Sequence, residues 1–131
     1  MFDYLCIDWG HLRCGLAFGD SKTGLVIPFV GNIDTKNLDQ VLEKEIRTRR
    51  IKNIVIGRPT NFRMGNTQVT NKIEAFILEL KPLYPGISFF TENERNSSKN
   101  AKLSGAKFVK FSVNHLAAMQ ILQSFFDANP I

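Results

Sequence analysis

Asp8 stands at the end of an apolar run, Phe2 to Ile7, and opens a glycine-punctuated stretch, DWGHLRCGLAFGD, that closes at Asp20. The run suits a buried central strand better than a half-solvated one. A carboxylate among apolar neighbours is costly to desolvate unless it is hydrogen-bonded, ion-paired or bound to a cation. Two uses of Asp8 follow: it holds a divalent metal, or it accepts turn N–H groups or pairs with Arg13. Gly10 and Gly15 leave the backbone around it unobstructed, with no side chain to block a phosphate or a neighbouring strand.

The elements that must position this acid can be read from periodicity. Strands are expected near residues 2–8, 13–19 and 24–30, with a turn at Asp20 to Gly24 joining the second and third into an antiparallel meander. Leu38, Val41, Leu42, Glu45 and Ile46 repeat at helical spacing after a cap at Asp34 or Thr35, and the basic run Arg47 to Arg50 complements the helix dipole. Asn53 to Gly57 reads as a fourth strand and Ile87 to Thr91 as a fifth. Between them Val69, Ile73, Phe76, Ile77 and Leu80 form the stripe of a helix that stops before Pro82. Ser112 is the expected cap of a closing helix from Val113 to about Asp127, apolar over much of its circumference and so largely buried. The alternation defines an α/β fold: a ribonuclease H-like mixed sheet of five strands, the first three antiparallel, flanked by helices.

A chain of 131 residues is expected to form one domain, residues 1–131, burying about two-thirds of its unfolded surface. Hydrophobic content of 44% with eleven Phe describes an ordered globule, and a net charge of +5 tilts the partners towards polyanions. The N-terminus lacks a basic region, and Asp3 and Asp8 interrupt its apolar run, so neither a signal peptide nor a membrane span is read and a cytoplasmic location is expected. Cys6 and Cys14 lack metal-ligand spacing and read as reduced, buried thiols, which argues against zinc.

Three separated segments resemble the YqgF/RuvX family, relatives of Holliday junction resolvases regarded as nucleases that mature the precursor of small-subunit ribosomal RNA. The first looks like D-x-G-x-x-R-x-G-x-A-x-x-D, matched by Asp8, Gly10, Arg13, Gly15, Ala17 and Asp20. The second is similar to a strand-Gly-x-Pro-x-Asn loop, here Ile54 to Asn61 followed by Gly65. The third is Glu94-Arg95 with Ser97 and Ser98, where the family usually has Asp-Glu-Arg and two Thr, so Asn93 replaces an acid. A closing block, Asn114 to Ala118, carries Asn where the family typically has Asp.

This resemblance implies phosphodiester hydrolysis with Mg²⁺ or Mn²⁺ on oxygen ligands, one ion activating water and the other stabilising the leaving oxygen. Asp8, Glu94 and Asn114 are the implied catalytic and metal-binding residues, and the neutral Asn114 reduces three carboxylates to two. His115 is a further ligand or water-orienting candidate, although consecutive helix positions diverge by about a hundred degrees. Asp20 and Glu92 are candidate substitute acids, set against plainer readings as a turn Asp and a strand-edge Glu. Arg13, Arg58, Asn61, Arg63 and Arg95 lie in or beside the motifs as substrate contacts, with Lys99, Lys102, Lys107 and Lys110 as point charges towards the closing helix. Trp9 is a base-stacking candidate, against the plainer reading of a core aromatic. The implied partners are structured RNA, branched DNA or ribosomal precursor particles, with no membrane, for a monomer or homodimer. The function read here is processing of the 5′ end of precursor 16S ribosomal RNA. The alternatives are a resolvase-like DNA nuclease, which would need a dimer for symmetric cuts, and a non-catalytic nucleic-acid or ribosome-associated module with a degraded metal site. Length argues against a two-lobed ATPase of the actin and sugar-kinase type, since 131 residues make one lobe at most.

Overall fold

A computed structural model describes residues 2–10, 12–29, 33–58, 66–93 and 113–128. Its strands are β1 (Tyr4–Asp8), β2 (Arg13–Gly19), β3 (Val26–Pro28), β4 (Ile33–Asp34), β5 (Asn53–Arg58) and β6 (Ser88–Asn93). Its α-helices are α1 (Leu38–Arg49), α2 (Asn66–Leu80) and α3 (Val113–Ala128).

Five strands form the sheet in the order β3-β2-β1-β5-β6, antiparallel between β1, β2 and β3 and parallel between β1, β5 and β6. This is the expected ribonuclease H-like α/β architecture, with one addition: the two-residue β4 pairs with the start of β2, Arg13 opposite Asp34 and Cys14 opposite Ile33. β1 is central because its apolar residues alternate between two covered faces. Leu5 and Ile7 join Leu16, Phe18, Ile54 and Ile56 under Leu38, Leu42 and Ile46 of α1 and Ile73 and Leu80 of α2. Cys6 joins Ala17 and Val55 on the other face under Ala118, Met119, Ile121, Leu122 and Phe125 of α3. Each fully buried Leu or Ile contributes about 1.5–3 kcal/mol of apolar transfer. The closing helix packs closely: a Cβ on Gly19 would lie 2.7 Å from the Leu122 side chain and 2.8 Å from Phe126. Both cysteines are buried and neither is in a disulfide, as expected.

Three boundaries differ from expectation. The third strand covers only residues 26–28, while the turn before it forms as read, with the Asp20 carboxylate accepting from Lys22 N at 3.1 Å and Thr23 Oγ1 at 3.0 Å. α1 is entered through a short 3₁₀ turn, Thr35–Asn37, and neither Asp34 nor Asn37 supplies a side-chain cap. The Thr35 hydroxyl instead donates to the Gly10 carbonyl at 2.6 Å, so a tertiary contact has taken the group that local capping would use. β6 runs two residues beyond Thr91, because Glu92 and Asn93 pair with Gly57 and Arg58. Ser112, the expected cap of α3, lies outside the described residues.

Candidate active site

The parallel strands β1, β5 and β6 end at one edge of the sheet, and the pleat decides which side chains meet there. Asp8 stands opposite Gly15 of β2. On its other side Ile7 pairs with Ile56, so the next row places Asp8 beside Gly57, which in turn pairs with Glu92. The row therefore reads Gly15, Asp8, Gly57, Glu92: two acids separated and flanked by residues without side chains. Their Cα atoms stand about 10 Å apart, twice the interstrand spacing. Period-two alternation puts Asp8 on the face of Cys6, and Glu92 on the face of Phe90, whose ring meets Phe125 of α3 at 5.2 Å. Both acids thus belong to the α3 side of the sheet.

The direction of α3 follows from its contacts. Its last turns cover the beginning of β1, with Tyr4 against Phe125 at 5.9 Å and Phe126 at 5.1 Å, whereas Ala118 packs with Cys6, Ala17 and Val55. The helix consequently starts towards the Asp8 end, and Asn114 and His115 belong to its first turn. Arg58 closes β5 at the same edge. The side chains of Arg58, Asn114 and His115 lie outside what is described, as do residues Asn61, Arg63, Glu94, Arg95, Lys99, Lys102, Lys107 and Lys110.

The loop after Asp8 is built on a close approach. A Cβ at Gly10 would stand 2.1 Å from the Arg13 carbonyl oxygen, so only glycine fits there. The Gly10 carbonyl then accepts from Thr35, whose hydroxyl also lies 3.4 Å from the Cys14 sulfur, while Thr35 N donates to Leu12 O at 2.9 Å. These bonds tie the Asp8 loop to the entry of α1. Burial pushes the Cys14 thiol above its ordinary value, outweighing the hydrogen bonds with Thr35 and Gly10, and the Asp8 charge adds to the rise.

Among the described residues Arg13 makes no ion pair, so the plain reading of Arg13 as the partner of Asp8 or Asp20 is not seen. Arg13 is exposed and shares with Leu12, Asp34 and Lys36 a concavity of about 330 Å³. Asp20 is not brought to Asp8. It follows Gly19, which pairs with Tyr4 at the opposite end of β1, and its carboxylate is used by the turn. Trp9 packs against the main core cluster, in keeping with its plainer reading. Glu92, a candidate substitute acid, lies in the Asp8 row; the two-residue parity with Phe90 places it there, on a strand that runs farther than its apolar residues.

Among the described residues no group of three His, Cys, Asp or Glu forms a metal cage. Asp8 and Glu92 bring carboxylates to this sheet edge, the oxygen type that hard cations such as Mg²⁺ or Mn²⁺ take and zinc sites built on Cys and His do not. Among the described residues no helix is long and apolar enough to cross a membrane.

A ribonuclease H-like sheet with an acid ending its central strand defines a class that includes resolvases and related proteins. Within it the family model described as "RuvX: Holliday junction resolvase" matches residues 3–128, and the chain belongs to that family. It is 33% identical over 139 aligned positions to a protein of Chlamydia pneumoniae, covering 97% of this chain and 91% of that one. It is 31% identical over 97 positions to a protein of Chlorobium chlorochromatii, covering 74% and 69%, and 29% identical over 131 positions to one of Chlorobaculum tepidum, covering 94% and 92%. All three relatives carry the description "Putative pre-16S rRNA nuclease". The fold is similar to the Fowlpox virus resolvase solved with its substrate Holliday junction DNA, at a TM-score of 0.60 over 100% of both chains with 11% identity.

Proposed function

We propose that this chain is a single-domain, cytoplasmic endonuclease that hydrolyses phosphodiester bonds near the 5′ end of precursor 16S ribosomal RNA. The observation that carries the reading is Asp8 at the end of the central strand, in the glycine-flanked row that leads to Glu92, within a family match spanning residues 3–128. Asp8, Glu94 and Asn114 are the proposed ligands of Mg²⁺ or Mn²⁺. A bound ion of this kind lowers the pKa of water and stabilises an alkoxide leaving group. The chain's own contribution is to set carboxylate charge at the end of its parallel strands, in a row where Gly15 and Gly57 place no side chain beside Asp8. Arg13, Arg58, Asn61, Arg95, Lys107 and Lys110 are the proposed backbone contacts, the arginines through forked hydrogen bonds to phosphate oxygens. The test is cleavage of an end-labelled precursor leader by wild type and Asp8→Asn, with Mn²⁺ or EDTA, beside a four-way DNA junction. Cleavage of RNA that needs both metal and Asp8 supports the reading; junction cleavage alone assigns a DNA resolvase instead.

Asn114 favours a second reading. A neutral amide in place of the family's Asp removes charge from the site, and a module that binds ribosomal RNA without turnover would tolerate that loss. Asn114→Asp separates the two: a silent wild type that becomes a nuclease supports binding without turnover, whereas a wild type that already cleaves excludes it.

A further inference from the structure

At the end of β1 opposite Asp8, Phe2, Asp3, Asp20, Lys22, Arg50 and Lys52 line a cavity of about 390 Å³. The two acids are engaged by the neighbouring turn: Asp3 accepts from Ser21 N at 2.9 Å and Ser21 Oγ at 2.6 Å, and Asp20 from Lys22 N and Thr23 Oγ1. The three cations are not used in this way. Among the described residues Lys22, Arg50 and Lys52 make no ion pair, whereas Arg47 and Arg49 are paired within α1 to Glu43 and Glu45.

Arg50 carries the strongest signal. It follows the last residue of α1 in the left-handed region, φ 56°, its N–H bonded to Ile46 O, and it is the one non-glycine residue with positive φ among those described. Glycine is the usual occupant of that helix-terminating position because a Cβ there is strained. A large cation at a position that favours glycine, lining this cavity with Lys22 and Lys52, points to a use for the side chain beyond ending the helix.

We infer that this cavity binds the phosphodiester backbone of structured RNA at a distance from the scissile bond, a reading that rests on the proposed ribonuclease function. Asp3 and Asp8 are five strand residues apart, about 17 Å. The cavity is therefore placed to contact backbone phosphates removed from those beside the cut. The chain's net charge of +5 favours a polyanionic partner.

The experiment is fluorescence anisotropy of a labelled precursor leader hairpin in EDTA, over a salt series, with wild type, Arg50→Gly, the triple variant K22Q/R50G/K52Q and the control Lys81→Gln. Arg50→Gly should melt at or above the wild-type temperature yet bind three- to tenfold more weakly. A residue that served only the helix end would show the stability gain alone. The triple variant should lose more than tenfold in affinity and flatten the log–log salt slope by about 2–3, at roughly 0.9 per phosphate contact. Variants that bind within twofold of wild type with an unchanged slope, or a Lys81→Gln loss equal to that of the triple variant, overturn the inference. If the triple variant fails to fold, Arg50→Gly alone decides it. Failure of the nuclease reading would look different: no metal-dependent cleavage by wild type, with the cavity-dependent binding intact.

Discussion

Replacing Gly10 with Ala should be among the most damaging single-methyl additions to this protein. The new Cβ would stand 2.1 Å from the Arg13 carbonyl oxygen, more than 1 Å inside an ordinary contact, and the obstructing atom is backbone. No rotamer change relieves it, so the turn between β1 and β2 must open. Opening it strains the Thr35 hydroxyl bond to Gly10 O, 2.6 Å in the folded protein. Overpacking costs about 1–3 kcal/mol and loss of a hydrogen bond about 0.5–1.5 kcal/mol, which together give about 2–4 kcal/mol. For a chain of this length 1 kcal/mol moves the melting temperature by about 3–4 °C, so Gly10→Ala should melt roughly 7–15 °C below wild type.

The matched control is Gly86→Ala. Its Cβ would meet nothing within 4 Å and its φ is not positive. That substitution should be neutral or stabilising by about 0.4–1 kcal/mol through the unfolded chain. Circular dichroism melts and urea titrations of both variants check the argument. A Gly10→Ala protein whose Tm and denaturation midpoint match those of Gly86→Ala would refute it, since the turn would then have room that the geometry denies.

Two further outcomes are expected. The Cys14 thiol is held above its ordinary value by burial, so as pH rises past about 8.5 the unfolded chain ionises first. Stability from this group is therefore complete below that pH and declines above it. Urea titrations at pH 7.5 and 9.5 should show a loss that Cys14→Ala reduces, and an unchanged loss in Cys14→Ala would refute the assignment. Glu92 stands in the Asp8 row outside the proposed ligand set and adds negative charge to that edge, so Glu92→Gln should weaken Mn²⁺ binding in calorimetry, by less than Asp8→Asn does. Wild-type affinity in that variant, alongside a loss in Asp8→Asn, would remove Glu92 from the site.

The central strand and its acid were legible because they rest on local chemistry: an apolar run ended by Asp8, then glycines at the spacing a tight antiparallel connection requires. The Asp20 turn was legible for the same reason, since Asp, Ser and Thr bond their own backbone two or three residues on. What escaped was decided by partners far away in the chain. Thr35 looked like a helix cap, but its hydroxyl is used 25 residues back at Gly10. β4 has two residues and no periodicity to read, existing only as a pairing with Arg13 and Cys14. β6 was cut short at Thr91 because Glu92 and Asn93 are poor strand formers, and pairing with β5 overrides that propensity. The longer strand carries Glu92, already a candidate substitute acid, into the Asp8 row.

Sheet polarity explains why residues more than a hundred positions apart can belong to one site. β1, β5 and β6 are parallel, so the segments that follow all three leave from one edge, and α3 begins near that edge because its far end is pinned by Tyr4, Gly19 and Phe90. Asp8, Arg58 and Glu92 stand at those strand ends and Asn114 in the first turn of α3, so topology brings these positions to one edge without any local sequence link. The same polarity sends Asp3, Asp20, Arg50 and Lys52 to the opposite edge, where the turn bonds leave the cations available. A substitution such as Asn for the family's Asp at 114 acts only at the first edge, whereas charge changes at Lys22, Arg50 or Lys52 act only at the second. Combining Asn114→Asp with Arg50→Gly should therefore give additive free-energy changes in metal and RNA binding, as sites with no shared partners do. Coupling well above 0.5 kcal/mol would mean that the two edges communicate through the sheet.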